Sequence, residues 1–345
     1  MTGNDVRRIS ICIPTYNRGQ LLAEALGSIA FGAQNCEAAG DIEIVVSDNA
    51  STDATPQVVK RFQQDISFPF HIIYHRNTDN IGAIRNLINA TALATGSFVW
   101  LFSDDDAFTK GSIRNVIALL NTHPELDYVF VARQLATEDL VPHEGEIEPK
   151  IKEEVLLLPS GLDLYQVDSG RMPHILGFFS SSVMRTRIWC DSVRAINVSG
   201  ITEWSHLRAI LLGIRDRPCA IVESTPVICR LDNARAFAQH SKVWLDDYVD
   251  TFLYARALGY DKNLCDQMIS TTIRGTARML LSDKARGLRS DNVFTLLRIR
   301  GLPWNRAYLS IWGILSVLPS PMLRPFWRIY LYVKRARRSV HNWAA

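Results

Sequence analysis

The sequence has no CxxC pair and no zinc-finger spacing. Its six cysteines, Cys12, Cys36, Cys190, Cys219, Cys229 and Cys265, are scattered. That pattern speaks against a thiolate metal cluster or a disulfide framework and fits free thiols in a reducing compartment. The first residues, MTGNDVRRISICIPTYNR, lack the long apolar run of a secretory leader, so a cytoplasmic protein is expected. In that compartment the Asn-x-Ser/Thr triplets at Asn49, Asn89 and Asn197 are chance matches. Internal repeats and low-complexity tracts are also missing. Runs long enough to span a bilayer are absent: the two most apolar tail segments, 308–318 and 322–333, are each too short, and Pro319 and Pro321 prevent their fusion into one straight helix.

The 345 residues are enough for a large core, in one big or two modest domains. The net charge of +3 says little, but its distribution is uneven. Residues 271–345 carry 14 Lys/Arg against 2 Asp/Glu, and residues 1–270 carry 24 against 33. An acidic body thus precedes a basic tail. The tail's aromatic runs, followed by Lys334-Arg335-Ala336-Arg337-Arg338, suit an interfacial anchor on anionic lipid. A helical pair packed on the body, or a dimer contact, is the alternative.

Apolar runs alternate with helical periodicity through the first part of the chain. Residues 8–14 read as a strand, and Leu21, Leu22, Ala25, Leu26 and Ile29 as a helix face. Residues 41–47 form a second strand before a helix bearing Val58, Val59 and Phe62. Residues 70–75 read as a third strand, and 80–95 as a helix entered through Gly82. A buried strand, Phe98-Val-Trp-Leu-Phe102, then runs into Ser103-Asp104-Asp105-Asp106. This order predicts an α/β fold with a doubly wound, largely parallel sheet. Three carboxylates at the carboxyl end of a strand are a site candidate, because ligands of open α/β sheets bind there and hard oxygen donors suit Mg²⁺ or Mn²⁺. A solvated acidic turn with Asp106 capping a helix is the plainer reading. Further on, 110–120 reads as a helix, 127–131 as a strand and 138–154 as an aperiodic acidic excursion holding a soft boundary. Residues 207–212 look helical, 226–229 strand-like, and 242–258 and 262–281 helical.

Four loops therefore stand at successive strand ends: Pro14-Thr15-Tyr16-Asn17-Arg18, Ser47-Asp48-Asn49-Ala50-Ser51-Thr52-Asp53, Asn80-Ile81-Gly82-x-x-Arg85-Asn86 and Asp104-Asp105-Asp106. In this order and spacing they resemble the nucleotide-sugar half of family 2 glycosyltransferases of the GT-A fold, over about residues 9–125 and more weakly to about 243. The resemblance implies a Rossmann-like, mostly parallel central sheet flanked by helices, here with a helical, basic C-terminal extension. The implied division is 1–125 for the nucleotide-sugar half, 126–243 for the acceptor half, and 244–345 for the helical region with the anchor at 303–340.

By the same resemblance, Asp104 and Asp106 fill the family's Asp-x-Asp. Asp104 would contact the ribose or the metal's water shell, and Asp106 would ligate a divalent ion, Mn²⁺ or Mg²⁺, that bridges the phosphates. Asp105 is left undecided, and Ser103 joins the nucleotide contacts. Asp48 would meet the base, Arg85 the base or a phosphate, and Pro14, Thr15, Tyr16, Asn17 and Arg18 the nucleotide. An N-cap for Asp48 and a solvated helix face for Arg85 are the alternatives. Many family members carry two acids after the second strand, whereas here Asn49 stands where the second would be.

Transfer with inversion also needs a general base near the acceptor hydroxyl. By the resemblance, the family's base comes from an acidic pair at a helix start in the second half. The matching stretch here is Gly200-Ile-Thr-Glu203-Trp-Ser-His206-Leu-Arg208, where Glu203 stands near that acid and is the first choice, with His206 second, three residues on and on the same face if helical. A first-turn dipole partner and a surface histidine are the alternative. The segment 226–237, with Arg230, Asp232-Asn233, Arg235 and Phe237, looks like its counterpart in abequosyltransferase-type enzymes of O-antigen synthesis. There Arg230, Arg235 or His240 would neutralise the leaving diphosphate.

The reading that follows is an inverting, metal-dependent glycosyltransferase on the cytoplasmic face of the inner membrane. It would take a nucleotide-diphosphate sugar as donor and a glycan on a polyprenyl-diphosphate lipid as acceptor, with no nucleic-acid partner and a homodimer left open. A sugar-phosphate nucleotidyltransferase would want a glycine-rich phosphate loop after the first strand, which PTYNR lacks. A non-catalytic nucleotide-sugar-binding protein is the other rival, and Asp104, Asp106 and Glu203 speak against it. Base, sugar and acceptor identities are not legible.

Overall fold

Alternating apolar positions fix which side of each strand meets which helix. The computed structural model describes residues 9–35, 39–168, 171–197, 200–231 and 243–285, with Met322 and Pro325 as single positions. Its elements run β1 Ile9–Thr15, α1 Gly19–Gly32, β2 Ile42–Asp48, α2 Thr55–Gln64, β3 His71–Arg76, α3 Ala83–Ala92, β4 Phe98–Leu101, β5 Ala107–Phe108 and α4 Ser112–Thr122. They continue as β6 Tyr128–Ala136, β7 Pro142–Glu148, β8 Val155–Leu158, α5 Gly161–Leu164, α6 Met172–Ile175, β9 Ser182–Arg185, α7 Thr186–Asn197, α8 Ser205–Ile214, β10 Cys219–Arg230, α9 Val249–Ala257 and α10 Lys262–Ala285.

Among the described residues these strands make one ten-stranded sheet, ordered β3-β2-β1-β4-β9-β6-β10-β5, with β7 on β6 and β8 on β10. The pairs β2–β3, β1–β2, β1–β4 and β6–β10 are parallel. Strand β9 runs antiparallel between β4 and β6, so β1, β2, β3, β4, β6 and β10 all point the same way. The carboxyl ends of these six strands therefore share one edge of the sheet, where an open α/β sheet presents its ligand.

On one face Ile9, Ile11, Ile13, Ile42, Ile44, Val46, Phe98 and Trp100 join Leu22, Leu26 and Ile29 of α1, Val59 of α2 and Val116 and Leu120 of α4 in a continuous core. The alternate residues Cys12, Val45, Val99 and Leu101 are buried as well. Helix α3 packs against β1, β2 and β4 on that side, and α7 against β4 and β9. With both faces covered, the first strands read as unbroken apolar runs.

The segment 138–154 is not the aperiodic boundary its acidity suggests. It contains β7, which pairs with β6 through Arg133↔Glu148 and Gln134↔Ile147, so the sheet passes through it. Exposed glutamates on an outer strand blunt edge-to-edge association and hide the period-two signal. The two-residue β5, the strand β8 and helix α7 have no counterpart in the sequence reading.

The chain divides into two compact units, 1–233 with 253–265 and 234–252 with 266–345. The first holds the entire sheet. In the second, Trp244 meets Tyr248 edge-on at 5.1 Å, and Tyr248 meets Phe252 at 4.8 Å. No described helix is long and apolar enough to cross a membrane. The tail at 303–340 and the residues Asp232, Asn233, Arg235, Phe237 and His240 lie outside the described residues, Met322 and Pro325 apart.

Candidate active site at the carboxyl edge of the sheet

Strand β4 is buried throughout, and its ladder runs one bond further, from Phe102 N to the Cys12 carbonyl (3.0 Å). Phe102 stacks on Phe108 with ring centroids 4.0 Å apart, and Trp100 meets Phe108 edge-on. These aromatic anchors clamp both ends of the Ser103–Asp106 turn and hold three carboxylates at the sheet edge. Asp104 and Asp106 are buried. Asp106 accepts hydrogen bonds from the Ser180 hydroxyl (2.5 Å) and the Arg230 amide (3.2 Å). It caps no helix, since α4 begins at Ser112 behind Gly111.

Asp104 and Asp105 share one guanidinium: Arg18 Nη1 lies 3.1 Å from Asp104 Oδ1 and 2.9 Å from Asp105 Oδ2. Asp105 also accepts from the Ser103 hydroxyl. Burial pushes the Asp104 carboxyl up to about 6, against the downward pull of Arg18 and with a further push from Asp105. Burial and then Asp105 drive Asp106 well above the usual carboxylate range, more than Ser180 and the Arg230 amide pull it back. Three crowded acids with one guanidinium between them are held in a form that a further cation would relieve.

The first two loops interlock beside this cluster. Asn17 donates its amide to the Ser51 hydroxyl (2.9 Å) and accepts from Thr52 N (2.7 Å). Its φ of 52° is one that asparagine tolerates better than most residues. Asp53 accepts from the amides of Gly19 (2.9 Å) and Thr55 (3.0 Å), joining the starts of α1 and α2. Asp53 thus serves α2, while Asp48, fully buried, caps no helix. Asp48 Oδ1 accepts from Ser51 N (2.8 Å) and Oδ2 from the Tyr74 hydroxyl (2.7 Å), with Arg76 Nε at 3.5 Å. A base contact by Asp48 would therefore have to compete with Tyr74 and Arg76.

The amide of Asn49 uses both its oxygen and its nitrogen. Its Oδ1 accepts from Asn77 (3.1 Å) and the Ile81 amide (2.9 Å), while its Nδ2 donates to Asn80 Oδ1 (2.8 Å). A carboxylate could not make that donation. Asn86, in the third loop motif, is buried and bonds both the Ser47 hydroxyl (2.7 Å) and the Ser47 carbonyl (2.7 Å), tying α3 to the end of β2. Its neighbour Arg85 is exposed on α3 and makes no hydrogen bond or ion pair among the described residues. Pro14 is half-buried opposite Ser47, Thr15 is buried at the end of β1, and Tyr16 is exposed at the rim.

Arg230 does not present its charge to the site edge. Its side chain is 4% exposed; Nε bonds the Asp105 carbonyl (2.8 Å), Nη2 pairs with Glu24 (2.5 Å) and Nη1 bonds the Glu138 carbonyl. It is a strut beneath the acid turn. Ser180, Glu24, Tyr74 and Arg76 were all missed in the sequence. The Asp48↔Arg76 register between β2 and β3 could have signalled the last two, whereas Ser180 and Glu24 had no local signal.

The second-half candidates are arranged differently from expectation. Glu203 is half-buried in the turn before α8, which starts at Ser205, so the shared helical face with His206 does not exist. His206 is buried, with Nε2 bonded to the Gly177 carbonyl (3.0 Å) and Nδ1 lacking a partner in hydrogen-bonding geometry. Burial pushes its pKa down to about 4, against smaller upward pulls from Gly177 and the Glu203 backbone. Its ring lies 5.7 Å from those of Phe179 and Trp204. The turn is thereby braced on the same 177–180 segment from which Ser180 reaches Asp106, with the His206 ring packed inside it.

The family described as "Glycosyl transferase family 2" matches residues 10–179. Abequosyltransferase RfbV of Salmonella typhimurium is 34% identical over 238 residues, 65% of this chain and 67% of that protein. The chain belongs to glycosyltransferase family 2. A PGL/p-HBAD biosynthesis glycosyltransferase of Mycobacterium tuberculosis is 34% identical over 122 residues, 35% of this chain and 44% of that one. Among solved structures, residues 1–349 of S. aureus TarS in complex with UDP-GlcNAc superpose with a TM-score of 0.58 at 17% identity, covering 84% of this chain and 79% of that one. The fold of this family 2 member is accordingly the expected α/β one, a mostly parallel central sheet flanked by helices.

Among the described residues no group of three or more His, Cys, Asp or Glu side chains is arranged to hold a metal ion alone. The donor set nevertheless fits a hard divalent ion, since Mg²⁺-type sites commonly take one or two carboxylates and complete their shell with substrate phosphates and water. The buried, mutually repelling Asp104 and Asp106 are the two carboxylates that would fit such a site.

Proposed function

We propose that this family 2 enzyme transfers a sugar, with inversion, from a nucleotide-diphosphate donor to a glycan carried on a polyprenyl-diphosphate lipid, as a step in surface-polysaccharide synthesis. The observation that carries the reading is the carboxyl-edge cluster: two buried, charge-starved carboxylates beside interlocked loops at the ends of β1, β2 and β4.

Asp104 and Asp106 would hold a divalent ion, which stabilises the charge of the departing diphosphate. The interlocked loops with Asp48 would cradle the nucleoside. Glu203 is the general base in this reading, because burial and its Gly177 bond take His206 out of reach. Likeness to an abequosyltransferase supports an O-antigen-type acceptor. The basic, aromatic composition of 303–340 supports peripheral attachment to anionic lipid on the cytoplasmic face of the membrane.

The test is incubation of the full chain with a panel of nucleotide-diphosphate sugars and a polyprenyl-diphosphate-linked glycan, with and without Mn²⁺. Mass spectrometry follows transfer and proton NMR the anomeric configuration. Inverted product that requires the ion is expected; retained configuration, or equal transfer after chelation, would sink the corresponding part.

A further inference from the structure

We propose that Arg18 is the resident counter-ion of the acid cluster and passes to the donor's diphosphate when a divalent ion takes its place. This rests on the metal-dependent reading above and adds to it a specific exchange at Asp104. Arg18 is the N-cap residue of α1, yet its side chain makes no capping bond. Instead Nη1 reaches both Asp104 Oδ1 (3.1 Å) and Asp105 Oδ2 (2.9 Å).

The accessibilities run in one direction. The Arg18 side chain is 35% exposed, whereas Asp104 and Asp105 are 5% and 14%. The carboxylates are held by the turn, and the guanidinium is the most accessible member of the group. Arg230 cannot take this part, being buried and committed to Glu24 and the Asp105 and Glu138 carbonyls. A divalent ion on Asp104 would meet a like charge a few ångströms away unless the guanidinium leaves. A diphosphate beside that ion offers the displaced guanidinium acceptors that match its planar fork. Before the donor arrives Arg18 thus spares three crowded acids part of their repulsion, and afterwards it helps bind the leaving group.

The exchange predicts effects of opposite sign. Mn²⁺ binding to the full chain without nucleotide, read from the electron paramagnetic resonance of the free ion, should tighten by about tenfold or more in Arg18→Gln. At saturating Mn²⁺, binding of whichever of UDP, GDP or CDP the wild type takes should weaken by about tenfold. Arg18→Lys keeps the charge without the fork, so it should leave the Mn²⁺ affinity within about twofold and weaken the diphosphate by at least about threefold. It decides the matter if the glutamine variant does not fold. Unchanged or weaker Mn²⁺ binding in Arg18→Gln, or diphosphate binding unaltered in both variants, overturns the proposal and leaves the metal-dependent reading standing. If no protein binds Mn²⁺ with or without a diphosphate, that reading falls and the proposal with it.

Discussion

The sheet buries acids at both ends, and the two ends treat them oppositely. At the amino end Glu43 is 1% exposed and is met by four donors: the Ser10 hydroxyl, the Thr95 amide (2.6 Å) and hydroxyl (2.7 Å), and the Gly96 amide (3.2 Å). At the carboxyl end Asp104 and Asp106 are as deeply buried, yet they face Asp105 and each other with fewer donors. A buried acid surrounded by N–H and O–H groups fastens β1, β2 and the start of β4 together. Buried acids that crowd one another and meet fewer donors, as Asp106 meets the Ser180 hydroxyl and the Arg230 amide, are candidates for holding a ligand.

The sharpest way to break this contrast is Asp106→Asn. Loss of the carboxylate should lower transfer by about 10³-fold, or about 4 kcal/mol of transition-state stabilisation. The melting temperature should stay level or rise, because one repelling charge is gone. An active variant, or one that melts well below the wild type, would show that the carboxyl-end acids are structural like Glu43.

Glu43→Ala is the converse. The Ser10 hydroxyl and the Thr95 amide and hydroxyl lose this acceptor in a dry site, while the Gly96 amide keeps the Ser10 oxygen (2.8 Å), and the change should cost about 3 kcal/mol of stability and roughly 10 °C in Tm. Transfer per folded molecule should be unchanged. A fall in kcat with little change in Tm would erase the distinction between the two ends.

Much of this contrast is legible in the sequence, and the parts that are not share a cause. The strands and helices up to Leu120 follow from unbroken apolar runs and clean helical periods, and the acid triad is visible because it follows Phe98-Val-Trp-Leu-Phe102 directly. The role of Asp105 stayed open because its partner, Arg18, lies 87 residues away. Arg230 stands beside Arg235 and His240 as a candidate for the diphosphate in the sequence because nothing local reveals Glu24, 206 residues distant, as its partner. His206 was ranked as a base on the assumption that α8 began early enough to align it with Glu203. Whether a polar side chain faces solvent or spends itself inside is a tertiary property, and composition does not encode it.

His206 supplies an intermediate case, a buried group with one ring nitrogen left short. Its folded-state pKa of about 4 lies below the ordinary value of 6.5, so its contribution to stability is present above pH 6.5 and is lost as pH falls toward 4. The loss should reach about 3 kcal/mol. Chemical unfolding at pH 7 and pH 4.5 should show that component in the wild type and lack it in His206→Gln. The pH profile of transfer in the variant should keep its shape. An acidic limb that disappears with His206 would restore it as the general base.

The smallest effect expected is at Tyr74. Burial, followed by the bonded Asp48 carboxylate, pushes the phenol's pKa up, so at neutral pH the hydroxyl is a pure donor to Asp48 Oδ2. Tyr74→Phe removes that donor while Ser51 N still binds Oδ1 and Arg76 remains 3.5 Å from Oδ2. The cost in stability should be about 1 kcal/mol, because Asp48 stays partly satisfied. The functional consequence should have the opposite sign: with Oδ2 released from its nearest partner, Asp48 becomes a better acceptor for a nucleoside base. Nucleotide affinity in Tyr74→Phe should therefore hold or improve by a few-fold. A clear loss of affinity with stability intact would mean that Tyr74 itself contacts the nucleotide and that Asp48 belongs with Glu43, among the acids that only fasten the sheet.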